Sequence, residues 1–171
     1  VCSSRFLGAG KNYIENAFIK IEADLNGISV TDKLKNEIYK NFIVLQARID
    51  TGDSYNFGAL KGDKPVYAEI KSFKLKEKNH IRAVLNVIFE IRKCKISTDF
   101  ILYNQSLNAE IKTEWFNRRK NHLLQFGFNL KNKIAETVSG DLYSAVHRTF
   151  DPDYDIYKYI PAERGIELKT N

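Results

Sequence analysis

Two groups of residues in this sequence have types and spacings that could do chemistry. Glu69-Ile70-Lys71 sets a carboxylate and an amine two residues apart, on one side of an extended strand, with Asp50 and Asp53 upstream. Carboxylates in such a set can hold Mg²⁺ while a lysine helps activate water for hydrolysis. The second group is Trp115, Phe116, Arg118, Arg119, Lys120 and His122, which interleaves ring faces with positive charge. Nucleic-acid surfaces use that combination for stacking and phosphate contact. Each group also has a plainer reading. Glu-x-Lys occurs on any solvent-facing strand edge, and an aromatic-basic run can be a helix entry with Trp115 and Phe116 in the core. Positive charge at a helix N-terminus opposes the macrodipole, so an anion there would relieve the cost.

Bulk properties narrow the field. A chain of 171 residues is expected to form one domain with a sufficient core, needing no metal or disulfide staple. The net charge of +6 is a moderate excess, carried partly by the runs Lys71 to Lys78, Arg92 to Lys95 and Arg118 to Lys120. Such runs read as solvated turns or as a patch for an anionic partner. No apolar stretch approaches the roughly 18 residues of a membrane helix. The three histidines, His80, His122 and His147, are far apart, and the two cysteines are Cys2 and Cys94, so no zinc-type spacing is present. Neither G-x-S-x-G nor a G-x-x-x-x-G-K-[ST] phosphate loop occurs. No cofactor is expected.

The elements that must position these residues follow from hydrophobic periodicity. Ala17 to Leu25 alternates like a strand and ends in an Asn26-Gly27 turn. Leu34, Ile38, Phe42 and Leu45 recur at helical spacing after a Thr31 or Asp32 cap, predicting an amphipathic helix. Asp50 to Lys64 is a long loop. Pro65 to Leu75 is a strand with a bulge near Lys71-Ser72, which brings Phe73 and Leu75 to the face of Ile70. In His80 to Arg92 the odd positions Ile81 to Ile91 are all apolar, so a strand with that face inward is expected. Leu85 then faces the core and Asn86 faces out, so Asn86→Asp is expected to be nearly silent. Cys94 to Asp99 reads as a turn, and Phe100 to Trp115 as the returning arm of a long hairpin. Leu123, Phe126, Leu130, Ile134, Val138, Leu142 and Val146 predict a second helix, interrupted by Gly127 and Gly140. The order is β-α-β-β-β-α, an α+β two-layer fold: an antiparallel β-meander with two helices on one face. Residues 1–12 read as a leader or tether, 13–150 as the single domain, and 151–171 as an extended tail docked through Tyr154, Tyr157 and Tyr159.

Three functional readings remain open on these residues. Cys2-Ser3-Ser4 after Val1, with no Met, reads as a processed or trimmed start, and resembles the mature end of a bacterial lipoprotein, with Cys2 as the lipid-bearing residue. The expected element order is similar to that of the lipopolysaccharide-assembly lipoproteins. The resemblance implies a non-enzymatic domain in the periplasm, anchored to the outer membrane, that binds a protein partner or an amphiphile within a larger envelope assembly, or a second copy of itself. Asp50, Asp53, Glu69 and Lys71 resemble the metal-binding half of the PD-(D/E)xK nucleases, which implies Mg²⁺-dependent cleavage. That family places a helix after the Glu-x-Lys strand, where a strand is expected here. The third reading is a basic module that binds nucleic acid, anionic lipid or another anion through Arg118, Arg119, Lys120 and His122.

Overall fold

The computed structural model of the chain describes residues 6–53, 57–58, 60–131, 134–140, 144–149 and 166–170. Every helix or strand among them is a strand. In chain order they are β1 (Gly8–Ala9), β2 (Tyr13–Glu15), β3 (Ile19–Asp24), β4 (Gly27–Asp32), β5 (Glu37–Ile49), β6 (Val66–Tyr67) and β7 (Glu69–Lys78). There follow β8 (Arg82–Ile91), β9 (Cys94–Tyr103), β10 (Ala109–Trp115), β11 (His122–Phe128), β12 (Ile134–Gly140), β13 (Ala145–Thr149) and β14 (Ile166–Thr170). A seven-stranded sheet runs β1-β2-β3-β4-β5-β11, with β6 also paired to β5. A four-stranded sheet runs β10-β9-β8-β7, and a three-stranded sheet runs β13-β12-β14. The strand pairings among the described residues are antiparallel.

The expected α+β architecture is therefore corrected to an all-β one, and the two expected helices are strands. The first stripe divides between two environments. Leu34 sits in the turn at 33–36 and Ile38 on β5, both exposed, whereas Leu45 is buried. Asp32, read as a helix cap, caps that turn instead: its Oδ1 accepts from Leu34 N and Lys35 N at 2.9 and 3.1 Å. Asn41 has φ 47 and lies inside a register shift, with Val30 opposite Tyr39 but Ile28 opposite Ile43. The bulge breaks the period-2 pattern of β5, and what remained fitted a period near 3.6. Past Asn41 the alternation is regular, with Ile43, Leu45 and Ala47 buried. Of the second stripe, Leu123 and Phe126 lie on β11, Ile134 and Val138 on β12 and Val146 on β13, while Leu142 lies outside the described residues. Gly127, opposite Val44, is one reason: a Cβ there would come within 2.8 Å of Val44 Cγ2.

Several elements stand as expected. Asn26-Gly27 closes the β3–β4 hairpin, where Asp24 Oδ1 accepts from both backbone amides at 2.6 and 2.9 Å. The register of β7 on β8 shifts between Ile70 and Ser72, and again between Leu75 and Glu77. The hairpin after β8 is tighter than expected. Ile91 pairs directly with Cys94, so the turn is Arg92-Lys93 and residues 94–99 are strand. Phe100 to Trp115 divides into the end of β9, a turn and β10.

The seven- and four-stranded sheets pack face to face as a sandwich. One core cluster joins Ile14, Ile21, Ile28, Ile43 and Leu45 from the first to Leu85, Val87, Phe89, Ile96 and Phe100 from the second. Ala83, Leu85, Val87, Phe89 and Ile91 face this core as expected, although a sheet covers them rather than helices, whereas Ile81, expected on the same face, precedes β8 and is 56% exposed. Full burial of such a side chain contributes about 1.5–3 kcal/mol each. Asn86, expected to face solvent, is only 5% exposed. Its Nδ2 donates to Ser97 Oγ at 2.9 Å and to Asp99 Oδ1 at 2.6 Å.

Candidate functional site

The carboxylate set read from the sequence is occupied by structural work. Asp50 Oδ1 accepts from Gly52 N and Gly58 N, both at 2.9 Å, which closes the loop after β5. Asp53 lies in the same loop and also has a partner. Glu69 starts β7 and pairs with Lys71 at 2.5 Å. The hydrogen bond and charge of Lys71 hold the Glu69 carboxyl below its ordinary value, and Glu69 raises Lys71 in return. Among the described residues no group of three or more His, Cys, Asp or Glu could hold a metal ion.

The pair's effect on stability follows from the sign of the shift. A carboxyl whose folded value is depressed contributes stability that is present above its unfolded value and lost as pH falls through the folded one. Because Glu69 is exposed, solvent screens the pair. Glu69→Ala is expected to leave the melting temperature at neutral pH essentially unchanged, and to flatten slightly its decline in acid. A large loss at neutral pH in thermal melts would mean that the carboxylate does more than face Lys71.

The basic residues do come together. Arg118, Arg119 and Lys120, in the connection from β10 to β11, line a cavity of about 430 Å³ with Arg92, Lys93 and Cys94 of the β8–β9 hairpin. The sequence reading placed His122 in this group, but His122 is not among the lining residues. It begins β11 opposite Ile49, with its Nδ1 buried and unpaired. Arg92 and Lys93 were legible only as part of a charged run. The two-residue turn that turns them towards 118–120 has no Asn-Gly signature to announce it. Trp115 and Phe116, offered as core in the plainer reading, are 48% and 73% exposed, and Arg118 stacks over the Phe116 ring at 5.1 Å.

An apolar groove of about 310 Å³ lies at the opposite end of the sandwich. Phe18, Val30, Leu34, Tyr39, Phe42 and Leu107 are among the residues lining it. Leu34 and Leu107, from the β4–β5 and β9–β10 turns, are 67% and 60% exposed at its rim. Tyr39 and Phe42 meet edge to face at 5.5 Å, and Phe42 leans on Phe128 at 5.6 Å. Cys2 and Tyr154, Tyr157 and Tyr159, the expected lipid-bearing and tail-docking residues, lie outside the described residues.

The family model of the glycosyl hydrolases family 38 C-terminal domain matches residues 14–168. The chain belongs to that family. The family-38 domain also shares its fold with solved structures. A protein in glycosyl hydrolase family 38 from Enterococcus faecalis superposes with a TM-score of 0.76 at 18% identity, over 84% of this chain and 22% of that one. An α-mannosidase from Enterococcus faecalis V583 superposes with a TM-score of 0.74 at 18% identity, over 84% of this chain and 20% of that one. The domain thus spans about a fifth of the length of these solved relatives. No curated protein matches the chain. The family assignment overturns the resemblance to lipopolysaccharide-assembly lipoproteins, and with it the reading as a non-enzymatic envelope lipoprotein. That likeness rested on an element order containing two helices, which the family-38 domain replaces with strands. The nuclease reading falls with it.

Proposed function

We propose that the chain works as a β domain of a glycoside hydrolase acting on α-mannosides, and that its apolar groove packs against another part of the same enzyme. The match of the family-38 C-terminal domain over residues 14–168 carries this reading. The solved relative that is an α-mannosidase supports the substrate class. Glycoside hydrolysis needs a pair of carboxyl groups flanking the scissile bond, about 5–5.5 Å apart in retaining enzymes and about 6.5–9.5 Å in inverting ones. Here Glu15, Glu69, Glu77 and Asp99 each face a lysine or arginine, and Asp50 holds a loop. The domain's contribution is accordingly to brace and position the catalytic part. The groove suits that role because Leu34 and Leu107, at its rim, are each more than half exposed.

The intact protein carrying this domain is expected to release p-nitrophenol from p-nitrophenyl α-mannoside. Leu34→Asp combined with Leu107→Asp changes two groove residues that this domain leaves exposed. The double variant should keep the domain's own circular dichroism and lower both the turnover and the melting temperature of the intact enzyme. If the intact protein does not cleave α-mannosides, the activity is wrong. If the double variant matches the parent in both measurements, the groove is not a docking surface.

A further inference from the structure

The cavity between the β8–β9 hairpin and the β10–β11 connection gathers five basic side chains: Arg92, Lys93, Arg118, Arg119 and Lys120. Among the described residues lining it none is acidic, and none of the five makes an ion pair. Like charges crowded into one concavity repel each other, and focus a positive potential on it. Two further observations are independent of the charge. Arg92, which lines the cavity, has its Nε buried without a hydrogen-bond partner. Arg92 and Lys93 both hold left-handed backbone, at φ 48 and 65. Neither residue favours that region, and a two-residue turn of this kind ordinarily takes Asn-Gly. Strain held in long cationic side chains where Asn-Gly would relax it is typical of a site that uses the side chains.

We infer that this cavity binds a tetrahedral oxyanion, the phosphate or sulfate group of a small ligand. Guanidinium forks match two oxygens of such a group at once, and lysine ammoniums add unoriented charge around it. The inference stands on this cavity alone and does not depend on α-mannoside hydrolysis.

The test is calorimetric titration of the intact chain at constant ionic strength with inorganic phosphate, inorganic sulfate and glucose 6-phosphate. Saturable binding of phosphate or sulfate is expected, and tighter binding of glucose 6-phosphate would identify the source as a sugar ester. Arg119→Gln should weaken binding at least tenfold, and Lys35→Gln, at the other end of the sandwich, should leave it unchanged. Lys93→Asn is the variant that cannot fail merely by misfolding, because asparagine is favoured in left-handed backbone. It should raise the melting temperature while weakening anion binding. Equal heats for Arg119→Gln and Lys35→Gln would overturn the inference. So would binding of a single-stranded oligonucleotide with no response to any of the three small anions.

Discussion

Asn16→Asp is expected to destabilise the domain by about 3–5 kcal/mol, the range for leaving a buried charge uncompensated. Asn16 is 0% exposed and uses its whole amide. Its Oδ1 accepts from Phe18 N at 2.9 Å and Ile19 N at 2.8 Å, which shapes the β2–β3 turn of the seven-stranded sheet. Its Nδ2 donates to Tyr103 O at 2.9 Å and Ser106 O at 2.8 Å, on the β9–β10 turn of the other sheet. One side chain therefore ties the two layers together at the groove end. Aspartate keeps the acceptor half and loses both donors, setting a carboxylate against two carbonyl oxygens. Domains of this size have only about 5–15 kcal/mol in total, so urea unfolding should show a large drop in midpoint. An unfolding free energy within about 1 kcal/mol of the parent would mean that the sheets are not tied at this point.

Leu85→Asp and Asn86→Asp are adjacent, and both should be costly for different reasons. Leu85 is fully buried opposite Phe100, and an aspartate there places a charge in the apolar core, which should leave little folded protein at any pH near neutral. Asn86 lies opposite Asp99 and donates to it. Aspartate at 86 would replace that donor with a second carboxylate, at about 2–3 kcal/mol. The two carboxylates would raise each other's proton affinity. The deficit of Asn86→Asp should thus shrink as pH falls towards the carboxylate range, because one shared proton restores a donor. A deficit independent of pH in denaturant melts would count against the carboxylate pairing.

The contrast at residues 85 and 86 shows how far the sequence could be read. The inward face of β8 was legible because five of its odd positions are apolar and its β-branched content favours a strand. Asn86 was misjudged because alternation says which side a residue points to, and not what covers that side. Here Ser97, Asp99 and, through Asp99, Lys76 cover it. The helices were misread for a related reason. Over four or five residues, periods of 2 and 3.6 share many positions, and the Asn41 bulge removed the one long alternation that would have decided β5. Gly127 and Gly140 were the discordant signal in the second stripe. The basic cavity was half legible: 118–120 stood out as a cluster, but its opposing wall depends on a turn at 92–93 that only the pairing of Ile91 with Cys94 defines. The family itself carries no short motif here, and at 18% identity to its solved relatives the likeness lies in the strand pattern.

The two bulges of β7 have a consequence for what this sheet does beside other copies of itself. β7 is an outermost strand of its sheet, and a flat outer strand presents a ladder of open amides and carbonyls to any passing chain. Register shifts at Lys71 and Lys76 put this ladder out of step twice within ten residues, so a regular incoming strand can match only a short stretch. Lys71, Lys74, Lys76 and Lys78 stand exposed along the same edge, and a second copy aligned with it would bring like charges together. A sandwich this rich in strands is thereby guarded against growing into a fibril along that side.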